Sequence, residues 1–330
     1  MTHMRTQWVL GALLGVLVAS CGAAKPRAAE TAADEALLLA DSGGLASLRA
    51  AVEANARDDA DRLVKKLSTA EKNSLAGRVL LGRVAELHGA GTEAKDAYLG
   101  VLREQPGHLE AALALSARLL EEGNTKGALA TVDEGLEAHP NDGSLLLNRA
   151  YIILTTDGFP AAGNAFFAAE QATGGAGMVR LSYASALAKA NRGAEAVEVL
   201  VRVTNDPRSS LGELAEAGHE LRQQGAFALA LAAFERVLAQ KDGGELRVER
   251  ALCKLGLRDG EGTMKELDAG LRVEPGYAPL YFYRGGRFAE GHRWRDAKAA
   301  YEKYLLLAPD GPLAPMAKKR LSMVMATLEK

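Results

Sequence analysis

The sequence predicts an all-α fold of antiparallel helix pairs stacked into a solenoid with a helix capping its C-terminal end, and three observations predict it. Residues are 48% hydrophobic but only 5% aromatic, so a core must be built mainly from Ala, Leu and Val, which suits close-packed helices better than a sheet. Prolines stand at Pro106, Pro140, Pro207, Pro275 and Pro309, at spacings of 34, 67, 68 and 34, single and double steps of one period. Within nearly every step a small residue precedes a large apolar one by four positions.

In chain order, the first element is an address. Met1 to Arg5 carries one Arg and no acid, Trp8 to Ala19 is uncharged and largely apolar, and residues 1–20 read as a secretory signal peptide. The apolar run is too short to span about 30 Å of hydrocarbon as a mature anchor, which takes about 20 helical residues. Val18-Ala19-Ser20-Cys21 resembles a bacterial lipobox, with Val where Leu is commoner. That resemblance implies a diacylglyceryl group, with further acylation such as palmitate, on Cys21 as the new N-terminus. Two or more acyl chains hold a protein firmly to a bilayer. By the sorting rule of enteric lipoproteins, Gly22 implies the outer membrane, with the chain facing the periplasm. Residues 21–40 are small and polar with Pro26, a tether.

Residues 41–74 hold a degenerate helix pair: Ala60, Val64 and Leu67 fall one period before Ala94, Tyr98 and Val101. Seven units follow over 75–311, at 75–108, 109–142, 143–176, 177–210, 211–243, 244–277 and 278–311. Their second helices carry Ala94 and Tyr98, Ala128 and Val132, Ala162 and Phe166, Ala196 and Leu200, Ala230 and Phe234, and Ala297 and Tyr301. Positions four apart share one helix face, so the small residue admits a neighbouring helix and the large one fills the gap. Thr263 and Leu267 make the weakest match. An earlier apolar helix in each unit, marked by Gly82, Gly218 or Gly285, completes the pair. Turns within pairs are expected at Gly89 and Gly91, Gly123, Gly158, Gly193, Gly225 and Gly291. Residues 312–330 form a capping helix, with Leu321, Val324, Met325 and Leu328 inward and Lys318, Lys319 and Arg320 outward.

This pattern resembles the tetratricopeptide repeat, W-x₂-L-G-x₂-Y, then A-x₃-F, then P. The last unit is the nearest match, through Tyr281, Gly285, Phe288, Ala297, Tyr301 and Pro309. The resemblance implies a right-handed superhelix whose first helices line a concave face that holds a segment of another protein. By register, Arg83, Leu113, Leu147, Asn148, Tyr151, Ser185, His219, Arg222 and Phe282 belong to that face. Phe282 and Tyr283 lie outside the consensus packing positions and are the aromatic candidates for partner contact.

The remaining chemistry is sparse. Forty basic and 42 acidic residues are interspersed, giving a net charge of −2 and no basic stripe for nucleic acid. The histidines are scattered without metal-ligand spacing, and Gly89-Ala-Gly91-Thr-Glu-Ala94 lacks the preceding strand of a dinucleotide loop. Cys253 reads as a small core residue. No cofactor beyond the lipid, no catalytic residue and no small-molecule substrate is expected. The chain is read as a protein-interaction scaffold of the envelope that assists assembly of an outer-membrane, pilus or secretion complex in the manner of a pilotin. The alternatives are an adaptor for peptidoglycan enzymes, a motility-complex or surface lipoprotein, and an enzyme with an unrecognised site.

Overall fold

A computed structural model describes residues 43–329; the expected signal peptide, the lipidated Cys21 and the tether at 21–40 lie outside the described residues. Within them the chain is helical without a strand. Helix α1 (Gly44–Glu53) pairs with α2 (Arg57–Lys66), and short α3 (Thr69–Asn73) leads into α4 (Leu75–Leu87). From there helices pack in twos: α4 on α5 (Gly91–Glu104), α6 (Leu109–Glu121) on α7 (Thr125–Ala138), and α8 (Gly143–Thr156) on α9 (Phe159–Ala172). After α10 (Gly177–Lys189) and α11 (Gly193–Asn205) come α12 (Leu211–Gln223) on α13 (Phe227–Leu238), α14 (Gly244–Gly256) on α15 (Gly260–Val273), and α16 (Ala278–Glu290) on α17 (Trp294–Leu307). The last helix, α18 (Ala314–Leu328), packs on α17. The chain divides into two compact units, one ending at Val179 and the other beginning at Arg180.

The inner turns share one design: a single residue turns left-handed just before the second helix begins, which closes the first helix and reverses the chain. Glycine does this at Gly89, Gly123, Gly158 and Gly225, where φ is 75° to 77°. The same place is taken by Asn55, Asn191, Arg258 and His292, with φ between 54° and 60°. The expected turn residues Gly193 and Gly291 are therefore displaced. Gly193 opens α11, and Gly291 has φ −85°, with His292 making the turn. Asparagine tolerates this region because its short side chain bonds locally; Arg258 and His292 carry a steric cost that the packed pair must outweigh.

The core is the small-and-large pattern made solid. Ala94, Ala128, Ala162, Ala196, Ala230 and Ala297 are buried, as are Tyr98, Val132, Phe166, Leu200, Phe234 and Tyr301. Each buried ring contributes about 2 to 3 kcal/mol relative to exposure. Three of them lean on a glycine of the preceding helix. A Cβ on Gly82 would lie 2.6 Å from the Tyr98 ring, on Gly218 2.6 Å from Phe234, and on Gly285 2.9 Å from Tyr301. A side chain at any of these crossings would have to displace the ring.

The weakest repeat, α14 with α15, supplements this packing with ions. Glu266 accepts from Arg250 at 2.8 and 2.9 Å and from Arg247 at 2.8 Å, while Arg250 also reaches Glu235 at 2.6 Å and Arg247 reaches Asp242 at 2.6 Å. Burial pushes the Glu266 carboxyl up, but the two guanidiniums outweigh it and hold it below the ordinary carboxylate value. At the C-terminal end Ala314, Ala317 and Val324 are buried and the Tyr304 hydroxyl accepts from the Leu313 amide at 3.1 Å. Lys318, Lys319 and Arg320 face solvent. Met325 and Leu328, expected inward, are exposed: the face of α18 that packs carries Ala314, Ala317, Leu321 and Val324, and positions 325 and 328 fall to its side.

Candidate partner-binding grooves

In the N-terminal unit the first helices α4 and α6, together with the end of α1, enclose an open groove of about 670 Å³. Its floor is apolar, from Val52, Leu87, Leu109, Leu113, Ala114 and Ala117. Its rim is ionic. Arg49 grips Glu110 with two guanidinium bonds, at 2.8 and 3.4 Å, joining α1 to α6. Arg118 donates to Glu121 at 2.8 Å and to Glu122 at 3.2 Å, and Lys95 of α5 shares Glu122 at 2.8 Å. Arg83 and Arg57 also line the groove and form no ion pair with any described residue.

Two groups beneath this groove are polar without full partners. The Tyr98 hydroxyl is buried beside the Glu86 carboxyl and has no partner in good hydrogen-bond geometry. Burial raises both groups above their ordinary values, Tyr98 strongly. His108, at the start of α6, accepts from the Ala111 amide through Nδ1 at 3.4 Å, while its Nε2 is buried and unpartnered. Burial lowers its pKa, so the ring takes up a proton at lower pH than an ordinary histidine.

In the C-terminal unit the first helices carry a line of polar residues that ends in an apolar pocket. On α12, Arg222 donates to Glu249 of α14 at 2.6 Å, His219 lies 3.4 Å from the same carboxylate, and Gln223 meets the other His219 nitrogen at 2.7 Å. Tyr283 of α16 feels Glu249 too; burial first, then that charge, raise its hydroxyl pKa. Beyond it a pocket of about 300 Å³ opens between α14, α15, α16 and α18. Phe282 forms its inner wall, edge-on to Tyr283 at 5.3 Å and to Tyr304 at 5.7 Å. Burial pushes the Cys253 thiol on α14 up to about 11, so it rests as an un-ionised core residue.

Of the residues selected from the sequence, Arg83 and Leu113 line the N-terminal groove, Phe282 and Tyr283 line the C-terminal pocket, and His219, Arg222 and Tyr283 converge on Glu249. Phe282 is nevertheless a core residue, 2% exposed. Leu147, Asn148 and Tyr151 of α8 line neither cavity and are buried. Helix α8 is apolar around most of its circumference, so even its groove-side register is taken by packing: Asn148 donates to Ser116 of α6 at 3.2 Å, and Tyr151 meets Phe166 edge-on at 5.2 Å. Ser185 is part-exposed and lines neither cavity. Register alone missed Arg49, Glu86, Glu110, Arg118 and Arg320. Arg49 was hidden because α1 belongs to the degenerate segment, and Arg320 because it was read only as the outer face of a cap.

Among the described residues no three His, Cys, Asp or Glu side chains are grouped to hold a metal ion, and no helix is long and apolar enough to cross a membrane. No family model and no curated protein matches the chain. Among solved structures it is similar to yeast Tom70, at 11% identity and a TM-score of 0.56, over 97% of this chain and 70% of that one. It is also similar to a tetratricopeptide repeat protein of Parabacteroides merdae, at 15% identity and a TM-score of 0.43, over 76% of this chain and 98% of that one. A third is Pseudomonas aeruginosa pilF, at 14% identity and a TM-score of 0.43, over 64% of this chain and 96% of that one. At these identities the likeness is one of fold.

Proposed function

We propose that this chain is a lipid-anchored scaffold of the cell envelope, which holds other proteins through the first-helix faces of its repeats and assists assembly of an outer-membrane, pilus or secretion complex. The observation that carries the binding role is the N-terminal groove, an apolar floor under a rim of arginines and carboxylates. Such a surface orders a partner segment by burying its apolar side chains while rim charges fix its register. The anchor and the compartment rest on residues 18–21 and Gly22 of the sequence, and the envelope role on their combination with a helix-pair array.

Crosslinking in the native cell, followed by identification of captured proteins, tests the reading. Ala114→Trp, which fills the groove from its half-buried floor, should abolish capture of a defined partner while the variant keeps the parent's helicity and melting. Cys21→Ala should release the protein from the membrane fraction. A partner captured equally by parent and Ala114→Trp would remove the groove from the proposal; a Cys21→Ala protein still membrane-bound, with no precursor accumulating, would remove the anchor.

A further inference from the structure

The pocket under α18 differs from the N-terminal groove in what it leaves unpaired. Its apolar walls come from Leu252, Leu255, Phe282, Leu313 and Met316, and two of these reach solvent: Leu255 is 37% exposed and Met316 46%. Only three charged residues line it. Glu290 is bound by Arg287 in an ion pair, so the acid is already satisfied. Arg320 forms no ion pair with a described residue; its guanidinium lies 4.9 Å from the centre of the Phe282 ring. Stacking on a ring holds a guanidinium flat while leaving its edge donors open. Lys318 and Lys319 precede it on the same helix, exposed but on other faces and outside the pocket lining. The pocket thus combines an apolar slot with one unpaired guanidinium beside the Phe282 ring, and it has no free carboxylate of its own.

The geometry points to a second docking site here, for a partner segment that inserts a large apolar side chain between Leu255 and Met316 and sets a neighbouring carboxylate on Arg320. The inference rests on the scaffold reading but not on the N-terminal groove. Charge complementarity selects the occupant: a basic segment would meet Arg320 with no unpaired carboxylate to offset it, and a neutral apolar one would leave Arg320 unused. A planar carboxylate matches the guanidinium fork with two parallel bonds.

The test is fluorescence anisotropy on the full chain with three labelled twelve-residue peptides. One has glutamates flanking a central Leu-Phe pair, one has lysines in place of the glutamates, and one keeps the glutamates but has serines in place of the apolar pair. The first should bind at least tenfold more tightly than either other. Arg320→Glu should weaken it at least tenfold, Arg320→Gln by less, and Leu255→Ser, on the opposite rim, should weaken it too; circular dichroism melts confirm that each variant is folded. Ala114→Trp should leave binding unchanged. Equal binding of the lysine peptide, or undiminished binding to folded Arg320→Glu and Leu255→Ser, overturns the site. Loss with Ala114→Trp alone would place the peptide in the N-terminal groove, so that this inference fails while the scaffold stands. No binding of any peptide by the parent also overturns the second site and leaves the scaffold to the crosslinking result.

Discussion

Tyr98 in the N-terminal unit and Phe234 in the C-terminal unit occupy equivalent places, each wedged against a glycine of the preceding helix, and they differ by one hydroxyl. In the first unit that hydroxyl is buried without a well-placed partner near a groove whose rim pairs, Lys95 and Arg118 with Glu122, have side chains 26% to 33% exposed. At Phe234 that hydroxyl is missing, though Tyr301 of the same unit keeps one, and an ionic network lies inside the second unit, where Arg250 and Glu266 have side chains only 11% and 10% exposed. The same backbone therefore distributes polarity in opposite ways. The N-terminal unit keeps its charges where a partner can reach them. The C-terminal unit uses its own to hold the weakest repeat together, leaving Arg320 and the lysines before it on the outer helix.

The largest expected effect tests that division directly. Glu266→Ala leaves two guanidiniums in a confined site without their common acceptor, and breaking a buried pair this way costs about 3 kcal/mol or more. Glu122→Ala removes a rim acceptor shared by Lys95 and Arg118 and should cost less than about 1 kcal/mol. Urea unfolding of the full chain, followed by helicity, reads both. Similar costs for the two would mean that the C-terminal network is as solvated as the rim, and the contrast between the units would collapse.

A smaller effect comes from exchanging the hydroxyl. An unsatisfied buried donor costs about 1 to 3 kcal/mol, so Tyr98→Phe should stabilise the N-terminal unit by about 1 kcal/mol. Phe234→Tyr, placing a hydroxyl where no partner waits, should destabilise the C-terminal unit by a similar or larger amount. If Tyr98→Phe destabilises instead, Glu86 is a true partner of that hydroxyl in solution, and the N-terminal core is more polar than its geometry indicates.

What the sequence made legible, and what it hid, follows from the same physics. Period and packing were readable because a helix crossing is a local demand: Gly82 with Tyr98, Gly218 with Phe234 and Gly285 with Tyr301 each recur at fixed spacing, and the buried alanines recur with them. The left-handed turn residue was readable only where it is glycine; Asn191, Arg258 and His292 carry no comparable mark. The grooves were half readable. Register finds which residues sit on first helices, and so it found Arg83, Leu113, His219 and Arg222, while Tyr283 stood out as an aromatic off the packing positions. It cannot tell an open face from one taken up by packing, which is why Leu147, Asn148 and Tyr151 turned out to be buried, Asn148 against the preceding pair and Tyr151 against its own partner helix. The ionic partners, from Arg49 with Glu110 to Arg250 with Glu266, join residues at separations set by side-chain reach rather than by the period.

The smallest predicted effect concerns acid. His108 has a folded pKa depressed below its ordinary 6.5 by burial, with nearby His139 and Arg78 lowering it further and Glu110 opposing. The unfolded chain therefore binds the proton first: the stability tied to the neutral ring is fully present above pH 6.5 and is lost as pH falls from 6.5 through the folded pKa. Glu86 has the opposite sign, because burial raises its folded pKa above 4.5 and protonation favours the folded form; Glu86→Gln removes that offset. In the Glu86→Gln background the N-terminal unit should lose stability on acidification from pH 7 to 5, with a slope below about 1.4 kcal/mol per pH unit for one proton. His108→Asn, which retains a side chain able to cap α6, should flatten the slope. The C-terminal unit should respond the other way over that range, since burial raises the Glu216 pKa and its protonation stabilises the fold, while Glu266 and Asp242, both depressed, lose their contribution only below their ordinary carboxylate values. Unfolding at pH 7, 6 and 5 checks the sign in each unit. An N-terminal slope that survives His108→Asn would place the acid sensitivity elsewhere and reduce the contrast between the units to the location of their ion pairs.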